Sequence, residues 1–132
     1  MRKNNSVNYK DWMSKGDHDF EDAEKLLKNG GHADTICFHA QQAAEKYLKG
    51  YLVYKNVNPR AIHHLEELAK DCAKFEKGFL GFLDECLLLT RYYIETRYPP
   101  LVPIEYSREE AKKAVDMAEE IMAFVKELLF KK

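Results

Sequence analysis

Apolar residues recur along this chain every three or four positions, and nowhere do they alternate with polar ones over a strand's length. That spacing follows the 3.6-residue turn of an α-helix, so the chain can hide its apolar surface only by laying helix against helix. Tyr9, Trp12, Met13, Phe20, Ala23, Leu26 and Leu27 fall largely on one face of a first helix, about Tyr9 to Asn29. Asn29-Gly30-Gly31 tolerates left-handed backbone and ends it. A second helix runs from His32 to about Lys55 with Ile36, Ala40, Ala44, Tyr47, Leu48, Tyr51 and Leu52 inward. Asn56 to Arg60 is a loop in which Pro59 holds Asn58 extended.

The third helix is shorter, about Ile62 to Phe75, and buries Leu65, Leu68, Ala69 and Cys72. Gly78 separates it from a fourth, about Phe79 to Thr96, whose Phe82, Leu83, Cys86, Leu87, Leu89 and Tyr93 read as core. Three prolines between Tyr98 and Pro103 forbid helix and make a rigid connection. Ser107-Arg108-Glu109-Glu110 has the form of a capping box. It opens a last helix with Ala111, Ala114, Val115, Ala118, Ile121, Val125, Leu128 and Leu129 on one side. The expected fold is all-α: an up-and-down four-helix bundle with one additional short helix, in a single domain over 1–132.

Hydrophobic residues at 45% of a 132-residue chain supply a core without disulfide or metal support. The net charge of −1 argues against nucleic-acid binding by bulk phosphate neutralisation, though a local basic pocket is compatible with it. Cys37, Cys72 and Cys86 are odd in number and unlike any C-x-x-C pair, so they read as buried thiols of a reducing compartment. The first residues precede no apolar run, and charges interrupt every longer one. No leader or membrane span is expected, and a cytoplasmic location is.

There is no Walker A loop, no dinucleotide-binding glycine motif and no H-E-x-x-H, and no histidine has a glutamate three residues before it. No metal and no cofactor are expected. Three clusters carry chemistry. Arg91, Glu95 and Arg97 gather with Tyr92, Tyr93 and Tyr98 near the end of the fourth helix. Helix-end electrostatics and an Arg91–Glu95 pair account for part of that pattern. Arg97 and Tyr98, beside rigid prolines, also suit a guanidinium that grips phosphate next to rings that stack a base. His39, Gln42 and Lys46, with Lys49, form the polar face of the second helix. It is either solvated, with a Glu45–Lys49 pair, or the floor of a cleft or dimer contact. Of His63 and His64, one caps or packs locally, or one faces a cleft as phosphate donor or proton carrier.

Phe38-His39-Ala40-Gln41-Gln42-Ala43-Ala44-Glu45-Lys46-Tyr47-Leu48-Lys49-Gly50 resembles the second-helix signature of the HEPN domain family. Asp19-Phe20 with Ala23 and Leu26-Leu27, then His64-Leu65, then Tyr93 through Arg97-Tyr98-Pro99, follow in the family's order. The resemblance implies a homodimer of helical bundles associated with nucleotides or RNA. It also implies a small nucleotidyltransferase partner in a toxin–antitoxin pair, and similarity to the substrate-binding helical domains of larger nucleotidyltransferases. Ribonuclease members carry Arg, four to six residues, then His, and no histidine follows Arg91 or Arg97 at that distance. The resemblance therefore passes on Arg97, and more weakly Arg91, as phosphate contacts. A binding module rather than an enzyme is expected. The alternatives are a weak metal-independent endoribonuclease, with His64 or His39 brought to Arg97, and a purely structural or regulatory interaction subunit.

Overall fold

The computed structural model describes residues 8–97 and 104–130, and among these there is helix but no strand. Helix α1 spans Tyr9–Lys28, α2 Ala33–Tyr54, α3 Leu65–Ala73, α4 Leu83–Arg97 and α5 Arg108–Phe130. A 3-10 turn at Lys77–Phe82 leads into α4. The five-helix, all-α expectation holds, as an up-and-down bundle with α3 as the short extra helix. Two boundaries differ. Ile62 and His63 precede α3 rather than belonging to it, because His64 in β geometry is its N-cap. The start expected for the fourth helix winds instead as the tighter 3-10 turn.

Local chemistry sets the ends. Asn8 Oδ1 accepts from the backbone N–H groups of Lys10 and Asp11 at 2.8 and 3.1 Å. The Asp11 carboxylate accepts from Asn8 N–H in return, closing a capping box. At the other end Gly30 takes φ +80°, which lets Gly31 N–H reach back to Leu26 O. Asn56 (φ 64°) does the same for α2, with Val57 N–H on Leu52 O. Ser107 Oγ caps α5 by accepting from Glu110 N–H at 2.9 Å.

Helix α2 is the axis of the bundle, packed against α1, α3, α4 and α5. Its Ala40, Ala43 and Ala44 are fully buried. Gly16 of α1 lies so close that a Cβ there would stand 3.2 Å from Ala43 O and 2.8 Å from Tyr47 Cδ1. Ala43 and Gly16 thus let α1 and α2 approach closely inside the protomer. Thr90 ties α3 to α4: its hydroxyl accepts from Leu65 N–H and donates to Glu66, both at 2.9 Å. That satisfies a first-turn amide which no helix can pair internally. Cys37, Cys72 and Cys86 are buried and unpaired, and burial pushes the Cys37 and Cys86 thiols up to about 12.

Candidate functional site

One line of polar residues runs along α2, and the helices around it give each residue a partner. His39, Gln42 and Lys46 stand three and four residues apart, so they share a face. That face meets Asp19 of α1. His39 Nδ1 lies 3.0 Å from Asp19 Oδ1, and the Lys46 ammonium pairs with the other oxygen. His39 and Lys46 therefore share one half-buried carboxylate. Gln42 turns the other way, donating from Nε2 to Gln41 Oε1 at 2.7 Å.

Beneath Gln42 sits a buried polar cluster, which goes against the solvated alternative for this part of the helix. Gln41 is 0% exposed, Glu45 5% and Lys49 6%. The Glu45–Lys49 pair, at 3.0 Å, is buried rather than solvated. Gln41 Nε2 donates to Glu45 Oε1 at 3.1 Å and to His63 O at 3.2 Å. His63 Nδ1 reaches the same carboxylate at 3.0 Å. Glu45 thus holds an ammonium, an amide and an imidazole, a set that compensates the loss of water around a buried charge. Lys49 also lies over the Trp12 ring, 5.8 Å from its centroid.

His63 links this cluster to the end of α4. Its ring stacks on Tyr93 with centroids 4.3 Å apart and planes at 22°. Tyr93 in turn lies near parallel to Phe38 at 6.0 Å. The Arg97 guanidinium sits 5.1 Å from the Tyr93 centroid. Beside it opens a shallow recess of about 250 Å³ lined by Asp34, Thr35, Phe38, Thr96 and Arg97. An imidazole, a guanidinium and two further rings therefore converge on one corner, where α2, α4 and the lead-in to α3 meet. Tyr93 is half-buried there rather than core.

The other expected residues go elsewhere. Arg91 points to a different side of α4, pairs with Glu95 at 3.4 Å, and lines a groove of about 400 Å³ that includes His64. So His64 accompanies Arg91, not Arg97, and His63 is the histidine on the tyrosine that Arg97 covers. Tyr98 lies outside the described residues, as does the proline connection. Gln41, Glu45 and Phe38 were not picked out as site residues, and of the His63–His64 pair it is His63 that reaches this corner. A signal for two of them was present: Gln41 and Glu45 continue the Leu48–Leu52 row at helical spacing, which places them on the buried side. Among the described residues no cluster of three or more His, Cys, Asp or Glu side chains could hold a metal ion.

This chain belongs to the HEPN domain family, whose pattern matches residues 9–128. It is 34% identical to TT1696 of Thermus thermophilus, whose crystal structure superposes with a TM-score of 0.78 over 90% of this chain and 96% of that one. ST0689, described as an archaeal HEPN homologue, shares the fold with a TM-score of 0.76 at 24% identity, covering 94% of this chain and 99% of that one. A Methanocaldococcus jannaschii protein named "Putative toxin MJ1304" is 24% identical across 92% of this chain and 88% of its own length. No helix among the described residues is long and apolar enough to cross a membrane.

Proposed function

We propose that this HEPN protein is a cytoplasmic, homodimeric module that holds the phosphate of a nucleotide or RNA at the Arg97 corner. A base would stack against the Tyr93–Phe38 aromatic surface. The carrying observation is the convergence of His63, Tyr93, Phe38 and Arg97 beside the 250 Å³ recess. A guanidinium supplies planar donors for phosphate oxygens, and a ring face takes any base without reading its identity. Arg91, on another side of α4, and the Asp19-bound His39 and Lys46 are secondary contacts, reached by a longer strand rather than by a mononucleotide. Gln42 positions Gln41 at the edge of the Glu45 cluster. The relative named "Putative toxin MJ1304" supports a place in a toxin–antitoxin pair, and the family resemblance implies a small nucleotidyltransferase as partner. The buried, unpaired thiols suit a reducing cytoplasm.

Calorimetric titration with ATP, GTP and a short RNA tests the corner. Stacking and phosphate contact each carry about 1–3 kcal/mol, so Tyr93→Ala or Arg97→Ala should weaken binding roughly fivefold or more. No binding at millimolar ligand, or full affinity in both variants, would refute this assignment. Co-purification with a nucleotidyltransferase tests the partnership separately.

A second reading, a metal-independent endoribonuclease, gains one observation: His63 and Arg97 share Tyr93. The proton carrier in that case is His63, not His64 or His39. RNA cleavage by the wild type but not by His63→Ala, in the presence of a chelator, would establish it.

A further inference from the structure

The far end of α2 from Phe38 carries rings and cations that the core leaves exposed. Tyr54, the last residue of α2, is 40% exposed, and Phe75, just past α3, is 45% exposed. Both are held from behind. Tyr54 meets Tyr9 edge-on at 5.0 Å, and buried Tyr51 lies 6.5 Å from Tyr54 and 4.8 Å from Phe79. The Lys55 ammonium reaches both exposed rings, 5.7 Å from the Tyr54 centroid and 5.9 Å from that of Phe75. Lys74 and Lys77 are exposed on either side of the Phe75 turn. Lys46, Lys49, Lys70 and Lys112 each pair with a carboxylate, whereas among the described residues Lys55, Lys74 and Lys77 have no such partner. The acid between them in sequence, Glu76, turns its carboxylate to Gly78 N–H at 3.2 Å.

We propose that Tyr54 and Phe75, with Lys55, Lys74 and Lys77, form a separate contact for single-stranded nucleic acid. Each ring stacks a base, and the lysines meet the phosphates. The contact adds a site to the proposed function and does not depend on the Arg97 corner. Exposed rings among cations match what every single strand offers, a flat face on each base and a negative charge on each link. The same composition disfavours a protein partner, because the centre of a protein interface gathers aromatic residues but excludes lysine. Resting on the rings does not use up the Lys55 ammonium, whose N–H groups can still donate to phosphate oxygens. The chain's net charge of −1 is no obstacle, since the charge that matters is local to the rings. At 1.5 Å rise per residue, Tyr54 stands about 24 Å along α2 from Phe38. One mononucleotide therefore cannot touch both places.

Fluorescence anisotropy of a labelled oligouridylate of about ten nucleotides, titrated with the full chain, gives the test. The wild type binds it, and Tyr54→Ala and Phe75→Ala each weaken binding roughly fivefold or more, with circular dichroism verifying folding. Phe75→Trp, which keeps a stacking face, retains affinity, an outcome that a merely structural role for Phe75 does not predict. Lys55→Gln and Lys74→Gln each reduce the dependence of log affinity on log salt by about 0.7. Oligouridylate binding survives Arg97→Ala in part, and ATP affinity is the same in Phe75→Ala as in the wild type. No binding of oligouridylate by the wild type, or full affinity in both ring variants, would overturn this contact and leave the rings to another class of partner. Binding abolished by Arg97→Ala yet untouched by Phe75→Ala would also overturn it, while sparing the Arg97 corner. Loss of ATP and oligouridylate together in Phe75→Ala would show that the two places are not separate. Oligouridylate binding that needs Phe75, in a chain that binds no ATP, would remove the corner and keep this contact.

Discussion

Replacing Glu45 by Gln keeps the side chain's shape and removes only its charge. The Lys49 ammonium, with its side chain 8% exposed, then loses the carboxylate 3.0 Å away. Stripping one partner from a buried ion pair costs about 3–5 kcal/mol, since the remaining charge is neither solvated nor compensated. The Trp12 ring over Lys49 offsets roughly 1 kcal/mol of that. A net loss of about 2–4 kcal/mol follows. Urea unfolding can read it through Trp12, the only tryptophan in the chain and one that touches the perturbed lysine. Lys49→Met alone should also destabilise, by leaving Glu45 to Gln41 and His63. The double variant Glu45→Gln, Lys49→Met should recover most of the loss, because neither charge is then buried alone. The expected coupling energy is at least about 2 kcal/mol. If Glu45→Gln costs less than about 0.5 kcal/mol, or the two single effects simply add, the buried-pair account is wrong.

Gly16→Ala, a change that favours an isolated helix by about 1 kcal/mol, should instead destabilise this protein. The new Cβ would stand 2.8 Å from the ring of Tyr47, which is fully buried and tethered by its hydroxyl to Asp17. Overpacking of that kind costs about 1–3 kcal/mol. Gly81→Ala, with nothing within 4 Å, is the control and should be neutral or slightly stabilising in the same melts. Stability should also hold up to about pH 8 and fall above about pH 9. Burial raises Cys37 and Cys86 to about 12 from 9.0, and raises Tyr47 and Tyr92 above 10.0. The unfolded chain therefore releases these protons first, and each group removes up to about 1.4 kcal/mol per pH unit beyond its unfolded value. Denaturation midpoints measured from about pH 7 to 11 that stay flat would contradict this.

The helices and most of their ends can be read from the residues alone. Asn8, Gly30, Asn56 and Ser107 act on backbone groups within a few residues, so their effects are local and follow from spacing. The buried stripe of α2 was equally legible, since one strong periodicity on a central helix leaves little choice of face. Helix α4 is the opposite case. Cys86, Leu87, Leu88 and Leu89 are consecutive and point around the whole helix, so no period selects an inner side. Packing against α2 and α3 decided it, burying Cys86 and Leu89 and leaving Leu87 in solvent. The candidate site was decided the same way. Glu45 meets His63 across 18 residues and Lys46 meets Asp19 across 27. The apolar pattern tells each helix which side to bury, but only the rotation of neighbouring helices about one another decides which polar edges then touch.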